Sequence, residues 1–179
     1  MYGSILKCNV VRMTLPTLEE FRKLEVLPYT RPSDPLSCTE EDVEGLFLFS
    51  QQRKSIWRCF MDWQRRVLRL FGSARFWLNG SFVTIKENPH DIDVVVIVSR
   101  KSFREAITLH SAEFADLTTH NDSDGNRVQP CSGMVDSFIT VEEPEILGYW
   151  DNLWSSVNTD KHYLSDGITR KRYLEVTPA

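Results

Sequence analysis

Two aspartates separated by one residue, Asp91 and Asp93, are the clearest candidates for chemistry in this sequence. They open a nearly continuous apolar run, Val94 to Val98, which is typical of a strand covered on both faces. Because successive side chains of a strand point to opposite faces, both carboxylates should project on one side while Ile92 enters the core. Two like charges this close are unfavourable unless a cation lies between them, and paired carboxylates are suitable Mg²⁺ ligands. The pair therefore predicts a magnesium site.

A glycine and a serine, Gly80 and Ser81, follow a short apolar strand predicted over Phe76 to Leu78. A glycine allows the backbone to approach a ligand closely, and backbone N–H groups together with a serine hydroxyl can hold phosphate oxygens. Nine residues separate Ser81 from Asp91. Phosphate on one wall and metal on the other are the two halves of a nucleoside triphosphate site.

A third carboxylate would complete such a site. Asp136 is the first candidate because it lies among apolar residues in a third predicted strand, Met134 to Val141. It could bind a second metal ion or take a proton from an attacking hydroxyl. Asp116 and Glu142 are the alternatives that the sequence leaves open.

The order of these residues resembles a known pattern. Gly-Ser, a spacer of about ten residues, Asp-x-Asp between apolar residues and a later strand aspartate are similar to the nucleotidyltransferase superfamily typified by DNA polymerase β. In detail, Phe76 to Val96 (FWLNGSFVTIKENPHDIDVVV) resembles a poorly characterised family of short bacterial and phage proteins with that predicted fold. The resemblance covers roughly Arg53 to Val141.

The resemblance implies an α/β (α+β) fold, in which helices pack on a small, twisted, mixed sheet. It also implies two Mg²⁺ ions and the transfer of a nucleoside monophosphate from a nucleoside triphosphate to an RNA, protein or small-molecule acceptor. By the same resemblance, Gly80 and Ser81 would contact the triphosphate, Asp91 and Asp93 would hold metal, and Asp136 would be the third carboxylate. The reaction would be an in-line displacement at the α-phosphorus.

Two departures from the pattern bear on specificity. Minimal nucleotidyltransferases of toxin–antitoxin modules usually carry an arginine soon after Gly-Ser, whereas here Phe82 to Ile85 precede Lys86, the candidate cation for a phosphate. No helical substrate-recognition domain is expected after Asp136. A non-catalytic regulatory or antitoxin-type module that kept the fold is the alternative to an enzyme.

The clearest helix lies before this segment. Apolar residues recur at helical spacing from Ile56 to Leu70, and Gly72 is a plausible C-cap. Between Gln51 and Arg75 there are seven basic residues against Asp62 alone, a local charge of +6. Two interpretations remain open: a track from Arg53 to Arg75 for an RNA or protein acceptor, or the solvated face of an amphipathic helix.

Weaker signals place the other elements. A helix is expected to begin after Thr39, because Thr39 to Asp42 forms a capping motif. A second helix is predicted from the capping box Ser102 to Glu105 towards Phe114. A loop, a short helix, a turn and a last strand are predicted over residues 120–130, 150–157, 166–167 and 168–176.

Composition bounds the class of protein. The chain has 179 residues, of which 41% are hydrophobic, and a net charge of −4, which divides into +6 on the basic helix and −10 elsewhere. We expect an irregular arm with a short helix over residues 1–50, followed by one minimal domain over residues 51–179. No apolar run approaches the ~20 residues of a membrane span, and the N-terminus does not resemble a secretory signal. A cytoplasmic protein with four reduced cysteines is therefore expected.

Overall fold

The computed structural model describes residues 15–25, 27, 35–156 and 170–178. These residues form a mixed α/β fold, which confirms the predicted class. The helices are α1 Leu18–Leu24, α2 Glu40–Phe47, α3 Gln51–Phe71, α4 Arg100–Leu109, α5 Ser111–Leu117, α6 Pro130–Gly133 and α7 Pro144–Trp154. The strands are β1 Leu36–Thr39, β2 Arg75–Asn79, β3 Ile92–Val98, β4 His120–Asn121, β5 Arg127–Val128, β6 Val135–Val141 and β7 Leu174–Thr177.

Five of the strands form one mixed sheet in the order β1-β7-β2-β3-β6. Strand β2 is antiparallel to both β3 and β7, whereas β3 is parallel to β6 and β1 is parallel to β7. The C-terminal end of β2 and the N-terminal ends of β3, β6 and β7 therefore meet at one end of the sheet. This end carries the candidate site.

Strand β3 is buried on both faces, as its apolar run predicts. Val94, Val96 and Val98 belong to the main core, which also contains the apolar stripe of α3. Val95 and Ile97 point to the opposite face, where they pack in a second cluster with residues that include Trp77, Trp154 and Tyr173.

Helix α3 covers the main face of the sheet. Ser50 is its N-cap and accepts a hydrogen bond from the N–H of Arg53, and Gly72 ends it with a φ of 75°. The buried stripe consists of Ile56, Trp57, Phe60, Trp63, Val67 and Phe71. The helix predicted from periodicity is thus confirmed, together with its glycine cap.

The predicted boundaries differ from the structure in several places. The capping residue of α4 is Ser99 rather than Ser102, and the helix ends at Leu109, before α5 begins at Ser111. Helix α7 begins at Pro144, because proline is well suited to the first turn of a helix, and not at Trp150. The loop predicted over residues 120–130 contains the two-stranded hairpin of β4 and β5. The predicted turn at 166–167 lies outside the described residues.

Part of the predicted N-terminal arm belongs to the fold. Helix α2 begins with the expected Thr39 capping motif. The four residues of β1 add an edge strand to the sheet, and Phe21 and Leu27 are buried in the same core as α3. In the described part of the chain, no helix has the length and apolar character needed to cross a membrane.

Candidate functional site

The structure brings the three predicted carboxylates to one end of the sheet. Asp93, the second residue of β3, is paired in register with Asp136, the second residue of β6. Neighbouring strands lie about 4.8 Å apart, so side chains of paired residues on the same face are direct neighbours. Asp91 lies two residues before Asp93, and its charge acts on the Asp93 carboxylate.

The two alternatives to Asp136 lie elsewhere in ion pairs. The Asp116 carboxylate is 3.6 Å from the Arg66 guanidinium, and Glu142 is 2.9 Å from Arg75. The structure therefore selects Asp136 as the third carboxylate near Asp93.

The electrostatics of this group favour the arrival of positive charge. Burial, followed by the charges of Asp91 and Asp136, raises the pKa of Asp93 to about 6. Asp136 is 6% exposed, and its Oδ1 atom is buried without a hydrogen-bond partner in the part of the chain that the structure describes. An unpartnered buried carboxylate oxygen is costly, so this atom is suited to bind a cation or a proton.

Two side chains from one neighbouring segment already contact the carboxylates. Arg127 of the hairpin donates to Asp136 Oδ2 at 2.5 Å, and Gln129 donates to Asp91 Oδ2 at 3.3 Å. The segment is anchored beside β6, where the Thr119 hydroxyl accepts the N–H of Ser137 at 2.9 Å. Arg127 thus supplies one positive charge to the cluster.

The residue types fit a divalent cation, although the side chains do not form a finished coordination shell. Hard carboxylate oxygens and the unpartnered Oδ1 of Asp136 are the donors that Mg²⁺ prefers. Within the described residues, however, no group of three His, Cys, Asp or Glu side chains is arranged to hold a metal ion. Binding would require Arg127 and Gln129 to release their oxygens and the carboxylates to converge.

Gly80 allows the close approach of the backbone to Asp93. Its backbone has a φ of 75° and a ψ of −162°, a conformation that favours glycine. A Cβ atom at this position would lie 1.5 Å from Asp93 Oδ2. The carboxylate therefore occupies the space of the missing side chain, and a glycine is required at position 80 for this geometry.

The loop after Gly80 is held from inside by Arg53. Ser81 begins a short 3-10 helix, Ser81–Val83. Arg53 is completely buried, and its guanidinium donates to the carbonyl oxygens of Phe82 and Thr84, both at 2.6 Å. Further bonds reach the carbonyls of Phe47, Ser81 and Lys86. Burial lowers the pKa of Arg53 only to about 10, so the guanidinium stays charged at neutral pH.

This finding corrects the prediction of a basic track from Arg53 to Arg75. Arg53 is buried and serves the loop, while Arg75 forms a two-pronged ion pair with Glu175 at 2.9 and 2.7 Å. Arg65 lies 2.5 Å from Asp62. Of the seven basic residues between Gln51 and Arg75, only some are exposed to solvent and free of these contacts, among them Lys54 and Arg58.

Lys86 is not one of the side chains that contact the carboxylates. Its side chain is exposed, and its backbone carbonyl is one of those held by Arg53. The loop geometry therefore accounts for the backbone of Lys86 but does not direct its ammonium group to the site.

Two further residues at this end of the sheet have no clear signal in the sequence. Asn79, the last residue of β2, pairs in register with Asp93. Lys171 donates from its ammonium group to Asn79 Oδ1, and its charge acts on Asp93. Asn79 stands directly before Gly80 and could have been suspected, whereas Lys171 is 92 positions away in the chain and requires the sheet order to be known.

Comparison with known proteins adds a family. The sequence model of one protein family matches residues 19–176, and that family is described as a family of unknown function, DUF6932. The comparison with curated proteins and the comparison with solved structures each found no match. The chemistry of the site therefore has to be inferred from its geometry.

Proposed function

The chain belongs to DUF6932, a family of unknown function, and we propose that it is a Mg²⁺-dependent nucleotidyltransferase. One observation carries the proposal: three carboxylates lie at one end of the sheet beside a glycine turn, and a buried oxygen of Asp136 has no partner among the described residues. An acidic group placed against a backbone turn suits a ligand that carries both metal and phosphate.

Each residue has a distinct task in this proposal. Asp91 and Asp93 would hold the metal with Asp136, and Mg²⁺ when bound would neutralise phosphate charge. Gly80 leaves room for the Asp93 carboxylate, and Ser81 offers a hydroxyl to the phosphates. The acceptor hydroxyl oxygen would bond to the α-phosphorus, the bond to the bridging oxygen would break, and pyrophosphate would leave. The hydroxyl proton would pass to water, or to Asp136 when that carboxylate does not hold a metal ion.

The nature of the acceptor remains part of the proposal. RNA, protein and small-molecule acceptors all carry hydroxyl groups that could take part in such a reaction. The exposed remainder of the basic helix, with Lys54 and Arg58, is one surface where an acidic acceptor could contact the protein.

A label-transfer experiment tests the proposal. The full chain is incubated with Mg²⁺, α-labelled nucleoside triphosphates and separate pools of RNA, protein and small hydroxyl compounds. Transfer should be lost in Asp91→Asn and Asp93→Asn, and it should persist in the matched control Asp124→Asn, which changes an exposed aspartate of the hairpin turn. Transfer that is equal in all four proteins would refute the assignment of the site.

A second function is favoured by the contact between Arg127 and Asp136. A site that already holds its own cation also fits a non-catalytic regulatory or antitoxin-type module. Binding of Mg²⁺ and a nucleoside triphosphate without label transfer to any pool would support this second function.

A further inference from the structure

Lys171 lies beside the acidic site in an unusual setting for a lysine. Its backbone N–H donates to the Ser155 carbonyl at 2.9 Å, which fixes the main chain just before β7. Its ammonium group donates to Asn79 Oδ1. Asn79 is itself buried and donates to the Trp154 carbonyl at 3.2 Å. The ammonium is therefore held in a defined position at the end of β2, where Gly80 follows Asn79 in the chain.

The charge of Lys171 has no close carboxylate partner in the described part of the chain. Asp93 is near enough to act on it electrostatically, but the contact that the ammonium makes is to a neutral amide oxygen. Burial lowers the pKa of Lys171 to about 8, so the group is still charged at neutral pH. A desolvated ammonium bonded to a neutral group is unfavourable unless an anion completes its environment.

The other cations near the site are less suited to receive an anion. Arg127 is already paired with Asp136, and Lys86 is exposed on a loop whose backbone points its carbonyls to Arg53. Asn79 uses only one of the three N–H donors of Lys171. Within the described residues this ammonium makes no other hydrogen bond, and it lies at the end of β2, where Gly80 follows Asn79 in the chain.

We propose that Lys171 is a polyphosphate-binding residue, whose ammonium contacts phosphate oxygens of the nucleotide held at Asp91, Asp93 and Gly80. This inference rests on the proposed function, and it assigns to Lys171 the role that the sequence suggested for Lys86. Asn79 is then a positioning residue, because it aims the ammonium without touching the ligand.

Two probes separate the metal site from the phosphate site. Calorimetry on the full chain measures the binding of Mn²⁺ alone and then of inorganic tripolyphosphate with Mg²⁺, which has phosphates but no base or sugar. Lys171→Met removes the charge at similar length, and Lys171→Gln keeps an N–H donor for Asn79. Lys101→Met is the matched control, since Lys101 is exposed and pairs only loosely with Glu105 at 3.8 Å.

We expect both Lys171 variants to bind tripolyphosphate about tenfold more weakly than the unchanged chain, with Mn²⁺ affinity within about threefold, and the control to be unaffected. A purely structural role would lower both affinities together. Unchanged tripolyphosphate binding in the variants, or a larger loss in Lys86→Met, overturns the proposal. Mn²⁺ binding without tripolyphosphate binding in the unchanged chain overturns only the role of Lys171, whereas absence of Mn²⁺ binding overturns the proposed function as well.

Discussion

Replacing Asp93 with asparagine should stabilise the metal-free protein at neutral pH. Folding brings Asp93 into a half-buried position beside Asp91 and Asp136, which raises its pKa from the ordinary 3.8 to about 6. Above pH 6 the folded chain must carry a charge that is more favourable in the unfolded chain. Below pH 3.8 both states are protonated and the penalty is absent. Stability contributed by this position therefore falls as pH rises between these two values.

The size of the effect follows from the shift. One unit of pKa corresponds to about 1.4 kcal/mol, so the full penalty is about 3 kcal/mol as an upper limit. Because part of the site is open to solvent, we expect Asp93→Asn to raise the free energy of unfolding by about 1–3 kcal/mol at roughly pH 7.5. At roughly pH 4.5 the gain should shrink to about a third, because the folded chain is then largely protonated at this position.

Urea unfolding in the presence of a chelator measures this difference. The matched control is Asp124→Asn, which makes the same chemical change in an exposed turn and should leave the free energy of unfolding within about 0.5 kcal/mol of its original value. A destabilised Asp93→Asn protein at neutral pH, or a gain that does not depend on pH, would refute the reasoning. Adding Mg²⁺ should reverse the order, since only the unchanged chain then gains binding energy.

Three further perturbations test the site. Arg127→Gln should raise Mn²⁺ affinity about tenfold in calorimetry, because it frees Asp136 Oδ2 and removes a competing charge; an unchanged or weaker affinity would contradict this. Gly80→Ala should abolish Mn²⁺ binding and lower the free energy of unfolding by about 1–3 kcal/mol, because the new methyl group would displace the Asp93 carboxylate; normal Mn²⁺ titration would rule out that contact. Arg53→Met should lower the free energy of unfolding by more than about 3 kcal/mol in urea melts, because it leaves several buried carbonyls without donors, and a surface-like loss below about 0.5 kcal/mol would be incompatible with the geometry.

Strong periodicity made parts of this structure predictable. The apolar run of β3 indicates a strand covered on both faces, which the two clusters on either side of it confirm. The stripe from Ile56 to Leu70 indicates the helix α3 and its end at Gly72, although the helix begins five residues earlier, at Gln51. These predictions succeed because each depends only on local spacing and burial.

The spacing of Arg53 in the sequence indicates burial, although its positive charge suggests exposure to solvent. Arg53 lies three residues before Ile56 and four before Trp57, so it is in phase with the buried stripe of α3. Counting it with the basic face was wrong because the loop at Ser81 to Lys86 offers enough carbonyl oxygens to satisfy a buried guanidinium. These hydrogen bonds cannot be predicted before the position of the loop in the fold is known.

Contacts between distant segments could not be predicted. Choosing Asp136 over Asp116 and Glu142 required the parallel register of β3 and β6, which local spacing does not determine. The contact between Lys171 and Asn79 depends on β7 inserting between β1 and β2. The start of α4 was ambiguous for a different reason, since Ser99 and Ser102 are both good caps and the end of β3 decides between them.

The hydrogen bonds that Arg53 donates to the loop after Gly80 also distinguish the two walls of the site. The wall formed by this loop is fixed, whereas the wall formed by the hairpin can move. A local opening of the loop would leave the charged, buried guanidinium with only the Phe47 carbonyl among its present acceptors, so opening should be disfavoured and amide exchange there should be slow. The opposite wall is the hairpin of β4 and β5, whose strand residues are exposed and whose Arg127 contact is a single ion pair. A ligand should therefore enter this site from the side of the hairpin. The turn at Gly80 should keep its position when the ligand binds.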